Sequence, residues 1–321
     1  MNLIDLRYFK EVAQELNITN AAGKLYLSQQ NLSQRIKQLE EYYQAALFER
    51  KPTFRLTAAG ERLLEYIREI EKAENNLMAD LSEIREEARG HISFGAPTTR
   101  TPIILPPLLI RFKQKYRDVA FTLKERPTAY LEEELLNGSL DLAVGVFSES
   151  VHKADPCLET TVLLDETVYL VVADSLLERC LPGRYPECKA AFREGIFLKD
   201  FLHFPVILYP RQNRIHTEIQ EYYRSHGAKP NVLAEAYSGM SLLPLCVEGL
   251  SCVFLPHMFK CHLIEQDSGM KTRLNYFPIR DCVSDNKVAL MRHRDRALPK
   301  YTKELILMIE EIFLRFRGDG A

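Results

Sequence analysis

The sequence predicts an α+β multidomain protein: a winged helix-turn-helix at the amino end (1–57), one long helix (58–89), and a two-lobed α/β domain (90–321). Three observations carry this prediction. Residues 1–57 hold three stretches with apolar residues at helical spacing, then a proline-containing turn between two short extended segments. Residues 58–89 contain no proline and repeat apolar positions in steps of four and three. Beyond residue 90 strand and helix patterns alternate, which requires a parallel sheet with crossover helices. A chain of 321 residues is long enough for two or three domains with their own cores.

The first helix is written in LRYFKEVAQEL, where Leu6, Phe9, Val12, Ala13 and Leu16 share a face. A second, short helix can start with Thr19 as its N-cap and carries Ala21, Ala22 and Leu25, whose small alanines let a neighbour approach. A third can start at Ser28, whose hydroxyl suits the first orphan amides. In it Leu32, Ile36 and Leu39 fall within a stripe about 60° wide at about 100° per residue. Gln30, Ser33, Gln34 and Lys37 lie opposite, with Ser28 and Gln29 at the helix start. Glutamine can pair bidentately with adenine, and Ser and Lys reach base edges or phosphates, so this face has the chemistry of a major-groove reader. The same pattern also describes an amphipathic surface helix with a solvated face. Phe48 to Thr57 then forms a wing with Arg50, Lys51 and Arg55 around its turn.

At this point the chain resembles a family. The pattern LxYFxxVAxxxxxTxAAxxLxxSQxxLSxxIxxLE, then LFER, then LTxAG, resembles the amino-terminal domain of LysR-type transcriptional regulators almost position for position over residues 3–60. Element order agrees more loosely to the carboxyl end. The resemblance implies a cytoplasmic regulator that binds double-stranded DNA at a pseudo-palindromic operator, answers to a small-molecule effector and assembles as a homodimer or homotetramer. RNA polymerase is a candidate further partner. One departure is Gln30, where many members have proline, so base preference is expected to differ from relatives.

The net charge of −2 gives no support for membrane or nonspecific polyanion binding. Between Lys24 and Arg55, however, six cations (Lys24, Arg35, Lys37, Arg50, Lys51, Arg55) face three anions (Glu40, Glu41, Glu49). Neither a secretory leader nor a long apolar run is evident. Seven cysteines, an odd number, are expected to be reduced.

In the long helix, Leu63, Ile67, Ile70, Glu74, Leu77, Leu81, Ile84 and Ala88 form a seam in which seven of eight positions are apolar, suited to a dimerisation coiled coil. After Arg89-Gly90, HISFGAP, DVAFTLKE and DLAVGVF read as strands with helices between. FPVILYP, NVLAEAYS and SCVFLPHM repeat that order from near Phe204, and RLNYFPI and NKVALMRHR read as returning strands. Lobe I is expected at about 91–165 and 273–321, lobe II at about 166–272. Two such lobes joined by crossing strands suit a hinged small-molecule receptor, and the resemblance implies a periplasmic-binding-protein-like effector domain.

Ligands of such sheets sit beyond the carboxyl ends of the strands. The candidate site is therefore Thr98, Thr99 and Arg100, Thr128 and Phe147 on one lobe, with Arg211 and Ser238 on the other. Family likeness supports the hydroxyl residues most; the two arginines come from chemistry and favour an anionic ligand. A longer crossover than usual carries Cys180 and Cys188 and is expected to be a surface insertion with incidental thiols, with a cysteine-based redox sensor as the alternative. Metal binding has little support, because His257, Cys261 and His262 lack a second ligand cluster. No GxSxG, Walker loop, glycine-rich dinucleotide turn or HExxH is found, so neither an enzyme nor a cofactor is expected. A solute-binding protein would account only for residues 91–321.

Overall fold

The computed structural model describes residues 2–49, 53–85, 89–148, 155–211, 213–267, 269, 273–283 and 285–317. The chain divides into two compact units, Met1–Arg85 and Glu86–Ala321.

The first unit is a three-helix head with a wing and a long helix. α1 (Leu3–Glu15) opens on a capping box, with the Asn2 side chain accepting from the Ile4 amide and Asp5 accepting from the Asn2 amide. α2 (Ile18–Lys24) is capped by Asn17 rather than Thr19: the Asn17 carboxamide accepts from Thr19 and Asn20 at 2.9 and 3.1 Å. One carbonyl reaching two amides two residues earlier outcompetes the threonine hydroxyl. α3 (Gln29–Tyr43) starts where expected, the Ser28 hydroxyl accepting from Asn31 at 3.2 Å. β1 (Phe48–Glu49) and β2 (Arg55–Leu56) pair antiparallel as the wing, with Phe48 stacked on Phe54 and packed near Phe9. Arg50 and Lys51 lie outside the described residues.

α4 (Ala58–Arg85) is fused to this head. Thr57 donates to the Ala46 carbonyl and accepts from the Gly60 amide, and a Cβ at Gly60 would collide with the Leu47 carbonyl. Leu63 and Ile67 are buried in the head's own core beside Leu32, Ile36 and Leu39, with Ile70 packed against it. The expected seam therefore divides in two: its start is core of one head, while Leu77 is 56% exposed.

In the second unit, one five-stranded sheet has the order β4-β3-β5-β12-β6. Its strands are β3 (Gly90–Ala96), β4 (Val119–Glu125), β5 (Leu142–Phe147), β6 (Leu158–Asp165) and β12 (Lys287–His293). The other has the order β11-β7-β10-β8-β9, from β7 (Val168–Ala173), β8 (Pro205–Leu208), β9 (Asn231–Glu235), β10 (Cys252–Pro256) and β11 (Leu274–Pro278). In each sheet three parallel strands are joined by antiparallel ones that carry the chain across. β11 pairs with β7, so residues 274–278, expected in lobe I, belong to the second sheet, and the return crossing falls between Pro278 and Lys287. Strand periodicity divides β7 between two cores: Tyr169, Val171 and Ala173 face one, Val168, Leu170 and Val172 the other.

The crossing helices are α5 (Thr101–Lys115), α6 (Thr128–Leu136), α9 (Arg214–Ser225), α10 (Leu243–Val247) and α11 (His257–Gln266), with α12 (Lys300–Leu314) packed on α5. The segment expected to be a surface insertion is folded: α7 (Asp174–Cys180) and α8 (Cys188–Arg193) bury Leu176, Leu177, Cys188 and Phe192 against the second sheet, joined by Phe201 from the 3-10 turn Leu198–Phe201.

Ile67 lies in the head's core at 2% exposure. Ile67→Ala should lower the stability of the first unit by about 2–5 kcal/mol and Ile67→Val by about 0.5–1.5 kcal/mol. Urea midpoints followed by circular dichroism check this, and equal midpoints for the two variants would remove α4 from the head's core.

Candidate nucleic-acid interface and effector cleft

The outward face of α3 is assembled by burial of the opposite one. Leu32, Ile36 and Leu39 lie inside, which leaves Gln29, Gln30, Gln34 and Lys37 exposed, Ser28 exposed at the cap and Ser33 half-buried. A polar hollow of about 450 Å³ runs along this face between Ser28, Gln30, Asn31, Gln34, Arg35 and Gln38. Asn31 and Gln38 were not singled out from the sequence; they flank the predicted stripe at helical spacing, which was the signal for them. Arg35 is tied to Asp5 at 3.1 Å and so braces α3 on α1. Lys37 meets Glu41 at 3.6 Å one turn on, and Arg55 meets Glu49 across the wing at 2.6 Å. Both pairs are exposed, so each holds weakly and its cation can exchange partners.

In the second unit the carboxyl ends of the parallel strands set the candidate cleft. β3, β4 and β5 run parallel, so residues 97–100, 126–128 and 147–148 emerge along one edge. Thr98 is exposed and Thr99 half-buried there. The Thr128 hydroxyl accepts from the Val146 amide at 3.0 Å, and Gly145 is what lets it approach, since a Cβ there would strike the Thr128 methyl and Met291. Phe147 is almost covered at the end of β5. In the second sheet Ser238 is half-buried ahead of a 3-10 turn at 239–242, and Arg211 is exposed.

Arg100 has a different task from the one the sequence suggested. It is buried, and its fork meets Glu166, Nη1 to Oε1 at 3.1 Å and Nη2 to Oε2 at 2.5 Å. Glu166 lies between β6 and β7, on the first crossing segment. It also accepts from the Met258 amide at 3.1 Å and from Asn286 Nδ2 at 2.8 Å, and its amide donates to the Asn286 carbonyl at 2.7 Å. Asn286 sits on the return crossing, where Arg214 donates to its Oδ1. The Arg100 guanidinium lies 5.4 Å from the Phe259 ring centre. Both crossings, the end of β3 and the start of α11 are therefore joined through one carboxylate. Arg214, three residues after Arg211, is the lobe II guanidinium that reaches this junction, and its buried Nε has no hydrogen-bond partner among the described residues. Only its place as the first residue of α9 pointed to it in sequence.

All seven cysteines are free thiols. Burial pushes the Cys180 and Cys188 thiols up, opposite to what a reactive thiolate needs. Cys261 Sγ lies 3.2 Å from His257 Nε2, whose Nδ1 is 3.3 Å from the Tyr169 hydroxyl. Among the described residues no group of three or more metal-ligating side chains is found, and no helix is long and apolar enough to cross a membrane.

Residues 3–61 match the family model described as "Bacterial regulatory helix-turn-helix protein, lysR family", and residues 85–313 match "LysR substrate binding domain". The HTH-type transcriptional regulator AlsR of Bacillus subtilis is 29% identical over 266 residues, covering 81% of this chain and 82% of its own. CzcR of the same organism is 26% identical over 319 residues, covering 97% and 98%. Among solved structures, full-length OxyR from Pseudomonas aeruginosa superposes with a TM-score of 0.64 at 20% identity, covering 98% of this chain and 94% of that one. Full-length CbnR in complex with its target DNA gives 0.54 at 21%, covering 98% and 100%.

Glu166→Ala leaves a buried guanidinium unpaired and should cost about 3–5 kcal/mol. Arg100→Met combined with Glu166→Gln removes both charges, keeps an acceptor for Met258 and Asn286, and should cost less. Urea unfolding of the full chain ranks the two, and the reverse order would show that the pair is not a buried charge pair in solution.

Proposed function

Because the chain belongs to the LysR family of transcriptional regulators, proteins that bind DNA and are not enzymes, we propose that α3 reads base edges in the major groove while the wing grips phosphates. The observation that carries this reading is the division of α3 into a buried apolar stripe and an exposed row of Gln29, Gln30, Gln34 and Lys37. Glutamines there offer bidentate pairing to adenine, and Gln30 adds a donor-acceptor pair where many relatives have proline. Arg55, exposed and paired with the exposed Glu49, is suited to exchange that partner for a phosphate, with Lys51 and Arg50 beside it in sequence. A protein of the same fold, CbnR, has been solved in complex with its target DNA, which supports DNA binding as the role. Two heads, joined through the exposed part of the α4 seam around Leu77, then call for a pseudo-palindromic operator.

The second unit is the effector-binding part. Its ligand in this reading is a small anionic molecule at the strand-end edge around Thr98, Thr99, Thr128 and Ser238, with Phe147 as an apolar wall. Arg100 is committed to Glu166, Arg214 to Glu218 and Asn286, and the first α5 amides to the Pro97 and Arg100 carbonyls, so the preference for an anion rests on the amides that open α6. A ligand there can change DNA binding only by preferring one of two arrangements, and by linkage its affinity must then differ between free and operator-bound protein.

Gln30→Ala and Gln34→Ala should each shift base preference, at a cost of about 1–3 kcal/mol per lost bidentate contact. Arg55→Ala should instead weaken binding to all duplexes and lower the salt slope by about one. Selection from a random duplex pool followed by salt titration checks both, and one common loss on every duplex would overturn the division of roles. Thr99→Val should keep DNA binding and lose the thermal shift given by small carboxylates; a full shift in the variant would remove Thr99 from the site.

A further inference from the structure

The turn between α2 and α3 carries a side chain for which the fold has no use. α2 ends with the Tyr26 amide donating to the Gly23 carbonyl at 3.3 Å and the Leu27 amide donating to the Ala22 carbonyl at 2.9 Å. Such a paired ending puts its turning residue in the left-handed region, where glycine or asparagine is favoured. Here that residue is Tyr26, at φ 55°. The conformation strains any bulky L-residue through its Cβ. The ring gains nothing in return from packing: Tyr26 is 96% exposed, the most exposed of the large apolar side chains among the described residues. An asparagine would make the same turn with less strain and without exposing an aromatic ring.

The position of the turn suggests what the tyrosine does. It lies two residues before Ser28, whose cap starts the reading helix, and in helix-turn-helix docking the amino end of that helix meets base edges. The turn then lies at the lip of the groove, where the nearest partners are phosphate oxygens, and tyrosine hydroxyls are established phosphate donors. Lys24, the nearest cation in sequence, is held by Glu15 at 2.5 Å and Glu11 at 3.4 Å. We propose that Tyr26 is a DNA-contacting residue whose hydroxyl donates to a backbone phosphate at the groove lip and sets how deeply α3 enters. The proposal rests on the DNA-reading role of α3 and adds to it a neutral, sequence-independent anchor on the turn.

The test uses the full chain, a duplex selected by the wild-type protein from a random pool, and a random duplex of equal length. Tyr26→Phe, which keeps the ring and removes only the hydroxyl, should weaken both complexes about tenfold, the worth of one hydrogen bond to a charged acceptor. The salt slope should stay unchanged, because a neutral donor releases no counterion. Tyr26→Asn should raise the thermal midpoint of the free protein by about 4 °C by relieving the left-handed strain, and still weaken DNA binding as the phenylalanine variant does. Wild-type affinity in either variant, a loss confined to the selected duplex, or a lowered midpoint in Tyr26→Asn would each overturn the proposal. If Gln30 and Gln34 still governed base preference in that event, the reading role of α3 would stand without Tyr26.

Discussion

The carboxylate of Glu166 sits where the two sheets of the second unit exchange strands, and three residues from different parts of the chain close on it. Arg100 comes from the end of β3, Met258 from the start of α11, and Asn286 from the return crossing through its side chain, while its backbone carbonyl accepts from the Glu166 amide. Removing two charges from water is costly, and a buried pair returns that cost only when the remaining lone pairs are also satisfied. Here both carboxylate oxygens have two donors each. The arrangement fixes which strand ends lie together, because any other register of the crossings would strand a charge. Cleft residues such as Thr99 and Thr128 inherit their positions from this junction, one residue from Arg100 in the first case and on the neighbouring strand end in the second.

Much of the head was legible because its signals are local. The period of Leu32, Ile36 and Leu39 fixed the buried face of α3, and a serine before that run fixed its start. Where two capping residues stood close together, as Asn17 and Thr19 do, sequence alone favoured the wrong one, since both are good caps and the choice depends on how the preceding turn aims its carbonyl. The seam of α4 was read as a single feature because a heptad pattern does not say which neighbour it packs against. Leu63 and Ile67 turned inward to their own head, a contact that becomes visible only once the wing brings Leu47 and Phe48 over them.

The effector part was legible as architecture and much less so as chemistry. Strand and helix alternation gave two lobes, but β11 sits in the second sheet because its residues pair with β7, more than a hundred residues earlier, and no local pattern encodes that partner. Arg100 looked like a ligand-binding guanidinium for the reason that it does bind a carboxylate; the carboxylate is Glu166, from the chain itself. The segment with Cys180 and Cys188 looked like an insertion because it lengthens the crossover, yet its phenylalanines and leucines close the second core, and the burial that results makes its thiols less acidic.

The fusion of α4 to the head has a mechanical consequence. Between Gly60 and Arg85 the helix contains neither proline nor glycine, its base is locked by Thr57, Leu63 and Ile67, and Lys10 clasps Glu71 at 2.6 Å two turns higher. Head and helix therefore move as one solid, with a shaft of 28 residues that is about 42 Å long. If the far end of such a shaft is held, a tilt of about 5° carries the base through about 3.7 Å, close to the 3.4 Å rise of one base pair. In the proposed reading, the register of the head on its operator is then a matter of degrees at the shaft, and small angular changes are enough to move α3 from one base step to the next.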